Sequence, residues 1–335
     1  MRIVFASCPQ DRATFAMAPA LPPFDPSQIA DHAADAHICS VTTDGEVRAH
    51  CSLWWREAPP LPGHVVGAIG HYASVDDEAA ALLLDEAVAQ LSQHGCTLAV
   101  GPMDGNTWRR YRFVTEVLSN EMREPPFFLE PINPLEWPLQ FEQAGFAPIA
   151  RYFSALNDDL TGSDERINRI VARLQSLGVQ IDSAIKADLP NELHRIYRVS
   201  RIAFIHNFLY TELPEQAFIA QYTALLDRIQ PELVLLAKRR GELVGYLFAM
   251  PDFAQAARGR PIDTFLIKTV AILPDPTLRG LGTVLVAKAQ ETGHKLGYRR
   301  CIHALMHEGN ASRNISSHYA LPMRRYTLYS REIAS

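Results

Sequence analysis

Phe265-Leu266-Ile267-Lys268-Thr269-Val270-Ala271-Ile272-Leu273-Pro274-Asp275-Pro276-Thr277-Leu278-Arg279-Gly280-Leu281-Gly282-Thr283-Val284 is an apolar run that stops at Pro274 and resumes after a pair of glycines. Residues 265–273 read as a strand, and residues 282–296 as an amphipathic helix stopped by Gly297. A strand that turns through glycine into a helix leaves backbone N–H groups without partners at the helix start. Those groups, with the positive end of the helix dipole, bind phosphate, and Arg279 adds a fixed charge beside them. The stretch therefore reads as a cradle for a pyrophosphate. An ordinary strand-to-helix turn is the competing reading of Gly280 and Gly282.

Outward from this stretch, the same order of elements occurs twice. Before it stand two strands, 233–237 and 243–250, joined by a hairpin at Arg240-Gly241-Glu242; after it comes a strand at 300–305. In the first half, a turn at Thr43-Asp44-Gly45-Glu46 leads into strands at 47–55 and 64–75. A helix at 77–94, stopped by Gly95, and a strand at 97–100 follow. Both halves close on a similar phrase, Ala150-Arg151-Tyr152-Phe153-Ser154 and Arg324-Arg325-Tyr326-Thr327-Leu328. The polar stretch 157–163 marks a boundary. The expected division is a first domain at 1–156, a linker and connecting helix at 157–177, and a second domain at 178–335. The second domain would open with a helix at 165–177, a strand at 178–185 and helices at 189–204 and 215–229.

Composition bounds the function. At 335 residues and 47% hydrophobic content, the chain is long enough for two globular domains. A net charge of −5 argues against general nucleic-acid binding. No apolar run approaches the roughly 18 residues of a membrane span. The first residues read as a strand rather than a signal peptide. Five scattered cysteines without a CxxC pair fit free thiols, and hence a cytoplasmic setting.

Strand, Arg-x-x-Gly turn, helix, Gly, strand is the arrangement of the GCN5-related N-acetyltransferases (GNAT), which residues 178–332 resemble throughout their length. That family's Arg/Gln-x-x-Gly-x-Gly/Ala pattern is met at Arg279 and Gly282, with Val284 where a small residue is usual. The resemblance implies an α/β (α+β) fold of two tandem GNAT-like domains, each a mixed, mostly antiparallel sheet flanked by helices. It implies acetyl-coenzyme A as cofactor. The backbone of Val270, Ala271 and Ile272 would pair with its pantetheine arm, and Arg279, Gly280, Leu281, Gly282, Thr283 and Val284 would hold its pyrophosphate. Asn310 stands where the family has an Asn touching the cofactor arm; it also suits the cap of a helix at 311–318. In the first domain the equivalent helix begins Val75-Asp76-Asp77-Glu78-Ala79, whose carboxylates suit a helix start but repel a pyrophosphate. That copy reads as degenerate.

Direct attack of an amine on a thioester needs orientation, a base and an acid, but no protein nucleophile. Tyr319 is the candidate acid. The candidate bases are His303, Glu308 and Glu212, with His307 beside them; the plainer readings are a core side chain for His303 and solvated charges for the glutamates. A metal on this strand is discounted, because residues four apart in a strand stand roughly 13 Å from one another.

By resemblance, His206, Asn207, Phe208 and Tyr210 line the acceptor pocket, and their mixture suits a small-molecule amine; packing of a helix end is the alternative. The run Trp108-Arg109-Arg110-Tyr111-Arg112 and the segment 130–137 form a second pocket or a domain interface. The leading function is an acyl-coenzyme A-dependent N-acetyltransferase. Its rivals are a Fem-like aminoacyl transferase and a non-catalytic acyl-coenzyme A sensor. The number of subunits is not legible.

Overall fold

The computed structural model describes residues 1–6, 16–118, 124–162, 165–223, 225–310, 316 and 318–334. The strands among them are β1 (Arg2–Ala6), β2 (Ala16–Met17), β3 (Ala36–Val41), β4 (Glu46–Trp54), β5 (Val66–Ser74), β6 (Leu98–Gly101) and β7 (Phe113–Val117). They continue with β8 (Ala147–Asn157), β9 (Val179–Ser183), β10 (Val234–Arg239), β11 (Glu242–Pro251), β12 (Thr264–Ile272), β13 (Arg300–His307) and β14 (Leu321–Glu332).

All of them join one mixed sheet flanked by helices. Its order is β1-β3-β4-β5-β6-β14-β8-β13-β12-β11-β10-β9, with β2 added at β4 and β7 at β14. Read inward from either edge, the two halves match. Along this order each is antiparallel except for one parallel pair, β5 with β6 and β12 with β13; the short β2 also pairs with β4 in parallel. The strands that close each half are exchanged: β8, from the first half of the chain, stands against β13, and β14 stands against β6. They meet at the centre, where the two similar phrases pair with each other, Tyr152 opposite Tyr326 and Ala150 opposite Leu328. The sheet therefore runs unbroken through the boundary expected at 157–177.

The helices that cover the sheet follow from spacing and caps. Asp77–Gln93 buries Ala80, Leu83, Leu84, Ala87 and Leu91 along one stripe. It ends at Gly95, whose positive φ lets the Cys96 N–H return to the Leu91 carbonyl at 3.0 Å. Leu281–Lys295 repeats the device: Leu281, Val284, Leu285 and Ala289 face the sheet, Gly297 has a positive φ, and the Tyr298 N–H reaches the Gly293 carbonyl at 3.0 Å. Leu189–Phe204 covers the opposite face with Leu193, Ile196 and Tyr197. The helix expected at 215–229 is shorter, Glu215–Thr223, and is followed by a single tight turn at Leu226–Arg228. The expected helix at 311–318 falls mostly outside the described residues.

Candidate active site

The pairing of β12 with β13 runs only from Thr264 opposite Arg300 to Ile267 opposite His303. Beyond that point β12 stays with β11 and β13 stays with β8, so the two strands part. Irregularities on both sides produce the opening. β11 shifts register between Phe248 and Ala249, and β13 shifts between His303 and Met306, where Leu305 takes a positive φ of 58°. The edge of β12 at Val270, Ala271 and Ile272 faces this gap.

The helix Leu281–Lys295 starts beside it. Gly280 occupies the N-cap with φ 84°, a conformation that suits glycine, and no side chain caps the first turn. The preceding turn is held from outside: Arg173 donates to the carbonyls of Thr277 and Arg279, and Arg239 pairs with Asp275 at 2.7 Å. Arg279 itself is exposed. Leu281, Gly282 and Val284 are buried, and Thr283 is half-buried. Val284 packs its side chain into the core beneath the helix, so its size does not fill the space above the first turn.

A cavity of about 860 Å³ passes through the gap, from Val286 on the helix side to Arg112 and Tyr152 from the first half of the chain. His206, Asn207, Phe208 and Tyr210 all line it, as do Val270, His303 and Asn310. Glu212, Glu308 and Tyr319 are not among the described lining residues. Glu212 lies near Arg201 at 3.6 Å and Tyr197 at 3.5 Å. Glu308 gives its N–H to the Arg151 carbonyl, and Tyr319 packs with the helix-side core.

The histidines differ in what their rings can do. His303 is buried, with its ring nitrogens at 3.1 Å from Gln290 Nε2 and 2.9 Å from Ser316 Oγ. Gln290 Nε2 can only donate, so His303 Nε2 accepts and Nδ1 carries the proton. Burial pulls its pKa down to about 4. His307 sits between Tyr152 and Phe208. Its Nδ1 accepts the Gly309 N–H at 2.9 Å, which leaves the ring proton on Nε2. Burial, and next the charge of Arg112, lower its pKa.

Two cavity residues, Lys268 and Arg112, were not among the candidate site residues of the sequence. Lys268 is a lone charge inside an apolar strand, and that oddity was its available signal. Arg112 belongs to the arginine run, but its separation from Arg109 and Arg110 is a tertiary matter. Arg109 turns away, to the carbonyls of His32 and Asp104.

In the first half, β5 and β6 pair only from Val66 opposite Leu98 to Ala68 opposite Val100. The place equivalent to the gap is filled by the chain itself. Met103 N–H donates to the Ile69 carbonyl at 2.8 Å, and Asp104 Oδ1 accepts the His71 N–H at 2.6 Å. A β-carbon on Gly70 would lie 2.2 Å from the Met103 carbonyl oxygen, so only glycine permits this approach. The helix Asp77–Gln93 is capped by Asp76, which accepts the Ala79 N–H at 2.7 Å and pairs with Arg48 at 2.7 Å.

Beside that plug, the side chains of His32, His71, Ser52 and His37 form a hydrogen-bonded chain with steps of 2.8, 2.9 and 2.7 Å. His32, His71 and Asp104 are the one group among the described residues close enough to hold a metal ion; none of the three lines the cavity.

Residues 193–315 match the sequence profile described as Acetyltransferase (GNAT) family. No curated protein sequence matches the chain significantly. Solved structures share the architecture at low identity. A tandem GNAT protein from the clavulanic acid biosynthesis pathway is 13% identical, with 100% of this chain and 99% of that one covered and a TM-score of 0.52. A GCN5-related glucosamine N-acetyltransferase region of a fungal multi-domain β-N-acetylglucosaminidase is 12% identical, with 93% of this chain covered and a TM-score of 0.57; the match spans 35% of that longer protein. A GCN5-related N-acetyltransferase from Sphaerobacter thermophilus is 12% identical, with coverages of 89% and 81% and a TM-score of 0.51. At these identities the likeness shows the fold and not the activity. The chain has a tandem GNAT fold, with the match to the GNAT family model in its second half.

Proposed function

From a tandem GNAT fold with this gap and this helix start, we propose that the protein is an acyl-coenzyme A-dependent N-acyltransferase that moves an acetyl group from acetyl-coenzyme A to a small-molecule amine. The observation that carries the reading is the parting of two strands beyond Ile267, with a cavity that passes between them and is lined by Val270, and with an uncapped helix start whose residues Arg279–Val284 stand outside the cavity lining. First-turn N–H groups at Gly282 and Thr283, with Arg279, would hold the pyrophosphate. The pantetheine arm would lie along Val270–Ile272 as an added strand and bring the thioester to the cavity. The amine would attack it from the side lined by Asn207, Phe208 and Tyr210. With Nδ1 committed to Gly309, His307 is placed to donate a hydrogen bond from Nε2 to the acyl oxygen; as the C–N bond forms and the C–S bond breaks, the proton of the attacking amine passes to the departing sulfur. The reading leaves His303 as a structural residue, since both of its nitrogens are engaged.

The first half is read as a copy that does not bind acyl-coenzyme A, because its own backbone fills the opening and a carboxylate caps its helix. The buried thiols of Cys39, Cys51, Cys96 and Cys301 support a reducing, cytoplasmic setting; Cys8 lies outside the described residues. Among the described residues no helix is long and apolar enough to cross a membrane.

The test is acetyl-coenzyme A binding and transfer, measured on the wild type and two variants. Gly282→Asp is expected to lose thermal stabilisation by acetyl-coenzyme A, measured relative to its own melting temperature without ligand. Asp77→Asn is expected to keep the stabilisation. Undiminished stabilisation of Gly282→Asp would remove the proposed site. Tight binding without transfer to any amine would favour a sensor.

A further inference from the structure

The cavity carries an excess of positive charge that the transfer reaction itself does not require. Its described lining contains Arg110, Arg112 and Lys268, with the Arg109 guanidinium turned to the His32 and Asp104 carbonyls, against a single carboxylate, Glu130. Glu130 is already committed: Arg324 and the Phe127 N–H bind one oxygen, and the Tyr326 hydroxyl binds the other. Arg112 is 7% exposed, its guanidinium lies 3.9 Å from the Tyr111 ring and 4.2 Å from the Tyr152 ring, and one N–H group reaches the Leu305 carbonyl at 3.3 Å. Its Nε has no partner, and its backbone takes a positive φ of 71°, which a bulky residue seldom adopts. Neither Arg112 nor Lys268 enters any ion pair among the described residues. Burial pulls the Lys268 amine down to about 8, with the Arg112 charge adding to the effect and Glu130 opposing it.

A buried cation without a counter-ion is costly unless a ligand supplies one. The cofactor's phosphates are not that ligand. Lys268 lies near Phe127 and Arg112 against Tyr152, on the side of the sheet that carries the core of Leu189–Phe204; the helix Leu281–Lys295 packs on the other face. The anion belongs to the acceptor.

We propose that Arg112 and Lys268 form an anion site in the acceptor pocket, and that the acceptor is an amine bearing an acid group, a carboxylate or a phosphate. Arg112 comes from the first half of the chain, so on this proposal the first half takes part in choosing the acceptor. The flat guanidinium suits two-point recognition of either group. The rings of Tyr111 and Tyr152 pack against the Arg112 guanidinium.

The proposal rests on the acyltransferase reading, and the experiment separates the two. Steady-state transfer from acetyl-coenzyme A is measured for amino carboxylates, aminoalkyl phosphates, the matched neutral amides and polyamines. The expected result is a kcat/KM at least 10²-fold higher for one acid-bearing class than for its neutral counterpart, and the better class identifies the group. Arg112→Gln is expected to raise KM for that amine by 10- to 100-fold, to leave KM for acetyl-coenzyme A unchanged, and to erase the preference. Lys268→Met provides a second variant if Arg112→Gln does not fold. A neutral or polycationic amine as the best acceptor would overturn the proposal, as would equal losses for all amines in both variants. Thermal stabilisation of the full chain by inorganic phosphate and by acetate, without cofactor, is read in parallel. Stabilisation that both variants lose, in a protein without transfer, would uphold the anion site and sink the acyltransferase reading. Stabilisation that both variants retain would sink the anion site alone.

Discussion

At the scale of the residue, burial sets the protonation of the histidines, and the consequence is a pH dependence of stability. His71 is held neutral with its pKa lowered to about 3, by burial first and then by the charges of His32 and Arg109. His32, for the same leading reason, is lowered to about 4. The unfolded chain takes up these protons from about pH 6.5 downward, whereas the folded chain resists. Their stabilisation is therefore complete above pH 6.5 and is lost as the pH falls toward 4. Asp104 works in the opposite direction: burial raises it to about 6, so the folded state binds its proton first and regains stability on acidification. His303 and His307 are lowered as well, so the histidines outnumber Asp104, and the melting temperature is expected to fall between pH 7 and pH 5. His71→Asn, which tolerates the positive φ of 47° at that position, should flatten the slope while lowering the melting temperature at pH 7. Equal melting temperatures of the wild type at pH 7 and pH 5 would contradict this account.

At the scale of the element, the helices and strands around the gap were legible because their signals are local. Glycine stops at Gly95 and Gly297, apolar stripes and the hairpin at Gly241 need no knowledge of distant neighbours. The parting of β12 and β13 was not legible. It depends on register shifts against β11 and β8, and nothing in residues 265–273 or 300–307 alone dictates them. Close packing beneath the helix Leu281–Lys295 gives a test. A β-carbon on Gly293 would stand 2.4 Å from Cε1 of Phe265, which is fully buried. Gly293→Val should cost about 1–3 kcal/mol in denaturant unfolding, because neither the helix nor the ring has room to yield. A stability equal to that of the wild type would mean that the helix sits farther from β12 than described.

At the scale of the whole molecule, the exchange of β8 and β14 ties the halves into one sheet. Without β8, the edge of β13 beyond His303 would lie open, and Tyr326, now fully buried, would lose Tyr152 opposite it. The full chain is therefore expected to unfold in a single calorimetric transition that acetyl-coenzyme A shifts as a whole. Two separate transitions, of which the cofactor moves only one, would show that the halves unfold independently. The cavity belongs to this scale as well. Arg112 reaches it from one half and Lys268 from the other, and the sequence separation between them hides the pairing.

What the sequence determined by itself was the order of elements, a strand, a turn and a helix placed twice, with carboxylates at the first helix start and a glycine turn beside Arg279 at the second. Those features act within a few residues through backbone freedom and dipole, so they can be read along the chain. The tertiary structure alone decided that the strands part beyond Ile267, that Met103 and Asp104 fill the corresponding place in the first half, and that Arg112 stands uncompensated beside Lys268. Each of these depends on contacts between segments far apart in the chain, and burial, which sets the energy of a charge or an unpaired N–H, is a property of the folded whole.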